Sequence, residues 1–324
     1  MISSILRRLY QTLIAVLIMS ALVFGGLYLV GDPVSMLASP EATELEREAI
    51  RQNLGLDQAL WRQYVIFLGK ASQLDFGSSF LNGVSAMHLI LERMPATLEL
   101  ATLAMLMSML IGIPVGIYAG LYPDRFSARG IMAGSLLGFS LPNFWVGLML
   151  IMVFAVMLGW LPAGGRGPVE YVGPVPLSIL SWAGIKHLLL PASTIAVAKC
   201  ALIIRVTRAA TRECLPQDYI KFARAKGLRE QRVLGVHLLK NILIPIITIG
   251  GLEYGQVIAF AVVTETVFSW PGMGKLLIDS IVTLDRPVVV AYLMLTVLFL
   301  AVLNLVVDIF YTVLDPRVRL GGGA

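Results

Sequence analysis

The 324-residue chain is 57% hydrophobic and only 14% charged, with a mean hydropathy of +0.82 and a formal net charge of +5. Soluble domains carry roughly 25% charged residues, so this composition excludes a water-facing globule and makes the bilayer the main solvent. The positive charge does not point to nucleic acid, because nine of the 25 Lys/Arg lie between Arg205 and Lys240, beside apolar segments.

Arg7 and Arg8 precede an apolar stretch from about Tyr10 to Val30. A cleaved signal has a core of roughly 7–15 apolar residues; this stretch is roughly 20 and long enough to span, so it reads as an anchor. From Asp32 to about Pro95 the chain is polar, with five Lys/Arg against eight Asp/Glu. The part over 42–69 has helical spacing, including Leu54, Leu60, Tyr64 and Phe67, and reads as an extracytoplasmic insertion with short helices. A second span is predicted from about Thr97 to Tyr122, opened by Pro95 at a helix start. Its Gly112, Gly116 and Gly120 repeat every four residues, the spacing that lets helices approach closely.

A short turn with Asp124, Arg125 and Arg129 leads to a third span, about Ile131 to Leu158, with a kink expected near Pro142. Trp160 to His187 is rich in Gly and Pro and reads as an outer loop. The fourth span covers about Leu188 to Ile204, the basic section Arg205–Lys240 follows, and the fifth span covers about Asn241 to Val263, with Gly251 and Gly255 in the close-packing spacing. Another outer loop holds Trp270, Pro271, Gly272 and Gly274, and the sixth span runs from about Val288 to Val313. The expected fold is therefore all-α and integral to the membrane, with about six transmembrane helices. Lys/Arg concentrate on the cytoplasmic side of short loops, which places the basic section and both termini inside and the acidic-biased insertion outside.

Cysteine and histidine contribute no chemistry. On one helix Cys200 and Cys214 would lie about 21 Å apart, too far for a disulfide, and His88, His187 and His237 are isolated.

The basic section is the most informative part of the chain. Pro216 suits a first helical turn, Asp218 complements the helix dipole there, and Gly227 supplies the left-handed residue that often ends a helix. Between them Tyr219, Phe222 and Ala223 share a face by their spacing, while Lys221, Arg224 and Lys226 point elsewhere. Such a short basic amphipathic helix either lies on anionic headgroups or docks a cytoplasmic partner.

The run Asp218-Tyr219-Ile220-Lys221-Phe222-Ala223-Arg224-Ala225-Lys226-Gly227-Leu228 resembles the "EAA" loop of ABC importer permeases, in its dipeptide/oligopeptide/nickel form. Pro95–Leu100, Ser140–Trp145, Thr266–Gly272, Leu314–Arg317 and Asp75–Ser79 match the same family in order, so the resemblance covers nearly the whole chain. The general motif aligns with Lys221, Phe222, Ala223 and Gly227; its Glu and first Ala are replaced, and Lys240 stands where the general pattern has Pro. The resemblance implies a type I ABC importer permease fold and an ATPase-coupling role for Asp218, Tyr219, Phe222, Ala223, Arg224, Ala225 and Gly227. It implies an anchor and insertion over 1–93, a permease domain over 94–316 and a cytoplasmic tail over 317–324. The implied partners are a related second permease, two ATP-binding subunits, an extracytoplasmic substrate-binding protein and membrane lipid, with no nucleic acid. The setting is a bacterial-type inner membrane, crossed several times. Dipeptides or oligopeptides are the expected cargo, with nickel complexes or other small solutes as alternatives.

This chain is not expected to be an enzyme or to hold a cofactor, and ATP and magnesium belong on the partner ATPases. The nearest approach to a phosphate-binding loop is Gly272-Met273-Gly274-Lys275, but Ser269 replaces the first glycine and Leu276 the magnesium-binding hydroxyl residue. Two ionisable residues fall at mid-span, which is costly and usually functional. Lys199 and Glu253 lie at similar depth on antiparallel spans, so they either pair or line a translocation pathway with Tyr254 and Gln256. Asp308 reads as an interfacial or capping charge, and Trp145, Trp160, Trp182 and Trp270 as belt or packing residues. An ion-coupled secondary transporter is the alternative from another class, but it leaves the basic helix unexplained. An intramembrane enzyme fails for want of any metal, Ser–His or paired-Asp motif.

Overall fold

The computed structural model describes residues 2–29, 34, 41–53 and 56–314. The readings of Val30, Asp32, Leu54 and 315–324, and of the side chains of Arg7, Arg8 and Asp308, lie outside the described residues. By compactness the chain divides into two units, one of Met1–Met94 with Leu276–Ala301 and one of Pro95–Lys275 with Val302–Ala324. The first unit thus includes residues 276–301. These residues join the first unit because Val290 and Met294 pack on Val23 of the first helix.

In the first unit, α1 (Ile2–Leu29) meets two short helices, α2 (Glu44–Asn53) and α3 (Leu60–Ser72). The short helices expected over 42–69 are these two. Thr43 and Glu46 cap α2 reciprocally: the Thr43 N–H donates to Glu46 Oε2 at 2.8 Å and the Glu46 N–H to Thr43 Oγ1 at 3.4 Å, the capping-box arrangement of T-x-x-E. These bonds hold the Glu46 carboxyl below its usual range. Tyr64 and Phe67 of α3 pack their rings on Phe24, and the Tyr64 hydroxyl bonds Ser20 Oγ at 2.8 Å. The hydroxyl thereby satisfies a serine buried within an apolar helix.

The second unit is built on α4 (Ala86–Leu121), which enters it at Pro95, and α7 (Trp182–Cys214). Pro95 lies inside α4 rather than at its start, since the helix begins nine residues earlier; a membrane helix tolerates proline when neighbours re-satisfy the freed carbonyl. A Cβ added at Gly112, Gly116 or Gly120 would meet Ile203 at 2.8 Å, Thr207 at 2.6 Å or Thr211 at 2.7 Å. The four-residue glycine repeat therefore seats α4 against a matching four-residue ridge of α7. At 33 residues α7 is about 50 Å long, well beyond a hydrocarbon core of about 30 Å. The fourth apolar run ends at Ile204, but the helix continues through Arg205, Arg208 and Arg212.

α5 (Phe126–Ser140) and α6 (Asn143–Leu150, continuing as a π-helical turn Ile151–Met157) meet at 103°. Proline disfavours helical conformation in the residue before it, and Leu141 is extended at φ −77°, ψ 133°. The expected kink at Pro142 is a full break. The expected outer loop 160–187 contains a hairpin, Glu170–Val172 against Val175–Leu177, and the first turn of α7. After α8 (Asp218–Ala225) come α9 (Glu230–Phe260, with a π-helical turn Val233–Leu238), α10 (Val262–Val267), α11 (Met273–Val282) and α12 (Arg286–Leu314).

Among the described residues α4, α7, α9 and Arg286–Val307 of α12 are each long and apolar enough to cross a membrane, and the bent α5–α6 pair makes a fifth span if counted as one. The apolar part of α1, Tyr10–Gly26, is shorter. The six apolar segments expected from sequence are all helical, though they do not pass this measure equally.

Candidate functional site

The surface helix α8 begins at its N-cap Gln217, so Pro216 precedes the helix instead of occupying its first turn. Its end is a Schellman closure. The Gly227 N–H donates to Arg224 O at 2.9 Å and the Leu228 N–H to Ala223 O at 3.4 Å, which requires the left-handed φ of +72° found at Gly227. Ile220 and Ala223 are buried against Val233, Leu238, Ile242 and Ile246 of α9, with Ile113 and Ile117 of α4 and Val206 and Ala210 of α7 packed around them. The helix is thereby set into a core cluster that α4, α7 and α9 also help to build.

The expected face of Tyr219, Phe222 and Ala223 splits in two. Ala223 is four residues from Tyr219 but three from Ile220, and burial places it with Ile220. Phe222 is 62% and Tyr219 39% exposed, and Asp218, Arg224, Ala225 and Gly227 are exposed with them. Lys226 stands over the Phe222 ring at 4.5 Å, Lys221 pairs with Asp218 at 3.0 Å, and Arg224 reaches Glu230 at 2.6 Å. The bond to Glu230 raises the Arg224 pKa further above its already high value. This face offers two aromatic rings ringed by charge.

The second site lies between α7 and α9. The Lys199 ammonium donates to Glu253 Oε2 in a short ion pair. The pair is not sealed, since the two side chains keep 20% and 16% of their exposure. Lys199 also lines a cleft of about 230 Å³ with Gln256, Asn143 and Thr264. Tyr254 turns to α4, where its hydroxyl meets Thr102 Oγ1 at 2.9 Å. Of the four residues grouped by sequence, the structure gathers Lys199, Glu253 and Gln256, and ties Tyr254 to a neighbouring helix.

Two buried carboxylates escaped the sequence reading. Glu265 is fully buried; it accepts from Thr97 Oγ1 at 2.6 Å and from the Lys275 N–H at 2.9 Å. Thr97 in turn accepts the Met273 N–H at 2.8 Å, and the fully buried Trp270 donates its indole N–H to Ala96 O at 2.9 Å. The motifs Pro95–Leu100 and Thr266–Gly272, far apart in sequence, are thus two halves of one latch. Trp270 is a packing residue, whereas Trp160 and Trp182 are exposed. Gly272 and Gly274 leave the room that the Glu265 carboxylate fills, so Gly272–Lys275 serves a side chain of this chain. Glu99 accepts from Arg166 at 3.0 Å and from Ser178 at 2.7 Å, and this fastens the hairpin loop to α4. The available signal was an acidic residue inside Pro95–Leu100 and another directly before Thr266–Gly272.

Several long apolar helices with one broken span mark a multi-pass membrane protein. The family model for the binding-protein-dependent transport system inner membrane component matches residues 112–320, and its N-terminal companion matches 1–101. The chain belongs to this family and is a permease subunit of an ABC-type importer. It is 39% identical to the di/tripeptide transport system permease protein DppB of Pseudomonas aeruginosa, over 98% of this chain and 99% of that protein. It is 38% identical to the oligopeptide transport system permease protein AppB of Bacillus subtilis, over 89% and 90%. It is also 37% identical to the glutathione transport system permease protein GsiC of Escherichia coli K12, over 98% and 99%. Among solved structures, the MetNI methionine ABC transporter in an inward-facing form matches with a TM-score of 0.54 at 16% identity, over 71% of this chain and 97% of that one. That match speaks to the fold alone.

Proposed function

We propose that the chain forms half of the translocation pathway of an ATP-driven importer of short peptides, coupled to its ATPases through α8. The cargo class is carried by the relatives at 37–39% identity, whose names specify di/tripeptide, oligopeptide and glutathione transport. The second half of the pathway is a related permease. Two ATP-binding subunits lie on the cytoplasmic side with both termini, and a substrate-binding protein delivers cargo from outside. ATP and magnesium sit on the partner subunits, and this chain has no nucleotide site of its own.

Coupling follows from how α8 is mounted. Tyr219, Phe222, Arg224 and Ala225 face the ATPase, Asp218 and Gly227 fix the two ends of the helix, and Ala223 transmits rather than touches. A displacement imposed on the exposed rings passes through Ile220 and Ala223 into α4, α7 and α9, because a close-packed core shifts as a body instead of deforming locally. Lys199 and Glu253 ride on two of those helices. The test is uptake of a radiolabelled dipeptide by proteoliposomes holding the complete complex and its binding protein. Accumulation that needs ATP hydrolysis is expected. Accumulation driven by an ion gradient without ATP would sink the reading and favour a secondary transporter.

A further inference from the structure

The cleft beside Lys199 holds more polar chemistry than packing requires. Asn143, Lys199, Gln256 and Thr264 line it, and the rest of its wall is apolar. Asn143 and Gln256 are exposed, and among the described residues neither side-chain amide has a protein hydrogen-bond partner. Polar groups at membrane depth persist where they meet partners or face a solvated cavity. Gln256 follows Glu253 by three residues, so the two share a face of α9. Asn143 opens α6 after the 103° break, and the start of a helix carries a partial positive charge. Together these groups make a mainly hydrogen-bond-donating, positively biased pocket with one carboxylate at its edge.

We propose that this cleft is a subsite for the carboxylate end of a peptide, at which Lys199 exchanges Glu253 for the cargo carboxylate and Glu253 takes the cargo ammonium. The proposal rests on the peptide-importer reading. The physical reason for an exchange is charge balance. A zwitterionic peptide held beside a locked Lys199–Glu253 pair would have both of its termini without counter-charges, which is unfavourable to whatever extent binding takes them out of water. Exchange keeps every charge paired before and after binding. Asn143 and Gln256 then bond the carboxylate and the adjacent peptide carbonyl, and their place beside Lys199 gives the site its polarity.

The experiment uses the complete reconstituted transporter, with wild-type dipeptide uptake as the control. Failure of that control would count against the peptide reading itself. Given wild-type uptake, Lys199→Glu/Glu253→Lys keeps an ion pair but puts a carboxylate in the cleft. It is expected to assemble and melt like the wild type while uptake falls by roughly tenfold or more, the scale of a lost charged hydrogen bond. Wild-type uptake by this variant would overturn the exchange and reduce the pair to a structural tie. Gln256→Leu removes no partner from the protein, so it stays informative even if the charge-exchanged variant does not fold. It is expected to raise KM several-fold for a free dipeptide, and to leave uptake of a C-terminally amidated dipeptide, which the wild type is expected to take up weakly, unchanged. An unaltered KM, or an equal effect on both peptides, would likewise overturn the proposal.

Discussion

Glu265 and Glu253 are both acidic residues in apolar surroundings, and the chain satisfies them in opposite ways. Glu265 is closed in by a hydroxyl and backbone N–H groups, with glycines where any side chain would collide. Glu253 is satisfied by one flexible ammonium at the edge of an open polar cleft. Backbone donors cannot leave without unfolding the loop, so the first arrangement is a fastening. A lysine can swing away at the cost of finding another anion, so the second is exchangeable. The two acidic residues thus differ in how they are satisfied as well as in how far they are buried.

That contrast breaks most easily at Gly272. Gly272→Val drives a side chain into the Glu265 carboxylate and should cost more than ~3 kcal/mol, in the range of severe core disruptions. Yield and melting temperature in detergent would read this, and a normally folded variant would show that the latch is loose. Lys199→Met leaves Glu253 unpaired and should cost about 2 kcal/mol, less than for a fully buried pair because both side chains keep some exposure. Adding Glu253→Gln should return most of that loss, so a melting cycle over the four proteins isolates the pair. Purely additive effects would mean that the two residues do not interact.

Thr97→Val removes the hydroxyl that donates to Glu265 and accepts from Met273, at an expected loss of about 1–2 kcal/mol. Thr97→Ser should recover much of it, and failure to recover would shift the role of Thr97 from hydrogen bonding to packing.

Gly227 tests the other site by a different route. No atom lies within 4 Å of a Cβ added there, so the cost of Gly227→Val is left-handed backbone strain alone, about 1–2 kcal/mol. Uptake and ATPase co-purification should both fall, whereas Gly227→Asn should retain them, since Asn tolerates that conformation. Equal behaviour of the two variants would argue that the cap geometry is irrelevant to coupling. The smallest effect belongs to Glu230→Gln, which breaks a pair that is 44% and 54% exposed. Exposed pairs contribute little, and a melting shift equivalent to less than about 0.5 kcal/mol is expected.

The sequence by itself determined the solvent, the rough positions of the apolar segments, the glycine seam of α4 and the C-terminal end of α8. These rest on local rules: apolar run length, four-residue spacing, and a glycine that alone adopts a left-handed cap comfortably. Tertiary structure alone decided where helices stop and what their faces meet. α7 outruns its apolar run, because arginine continues a helix about as readily as leucine and Thr207 and Thr211 are held by their packing on Gly116 and Gly120. Ala223 belongs by spacing to either of two faces, and the core formed by α4, α7 and α9 chose one. Lys199 and Glu253 were expected at one depth, but pairing also depends on how two helices are rotated. Thr97 and Glu265 are 168 residues apart, and no periodicity within either segment encodes the other. Their hydrogen bond exists only because burial left each without water and within reach of the other.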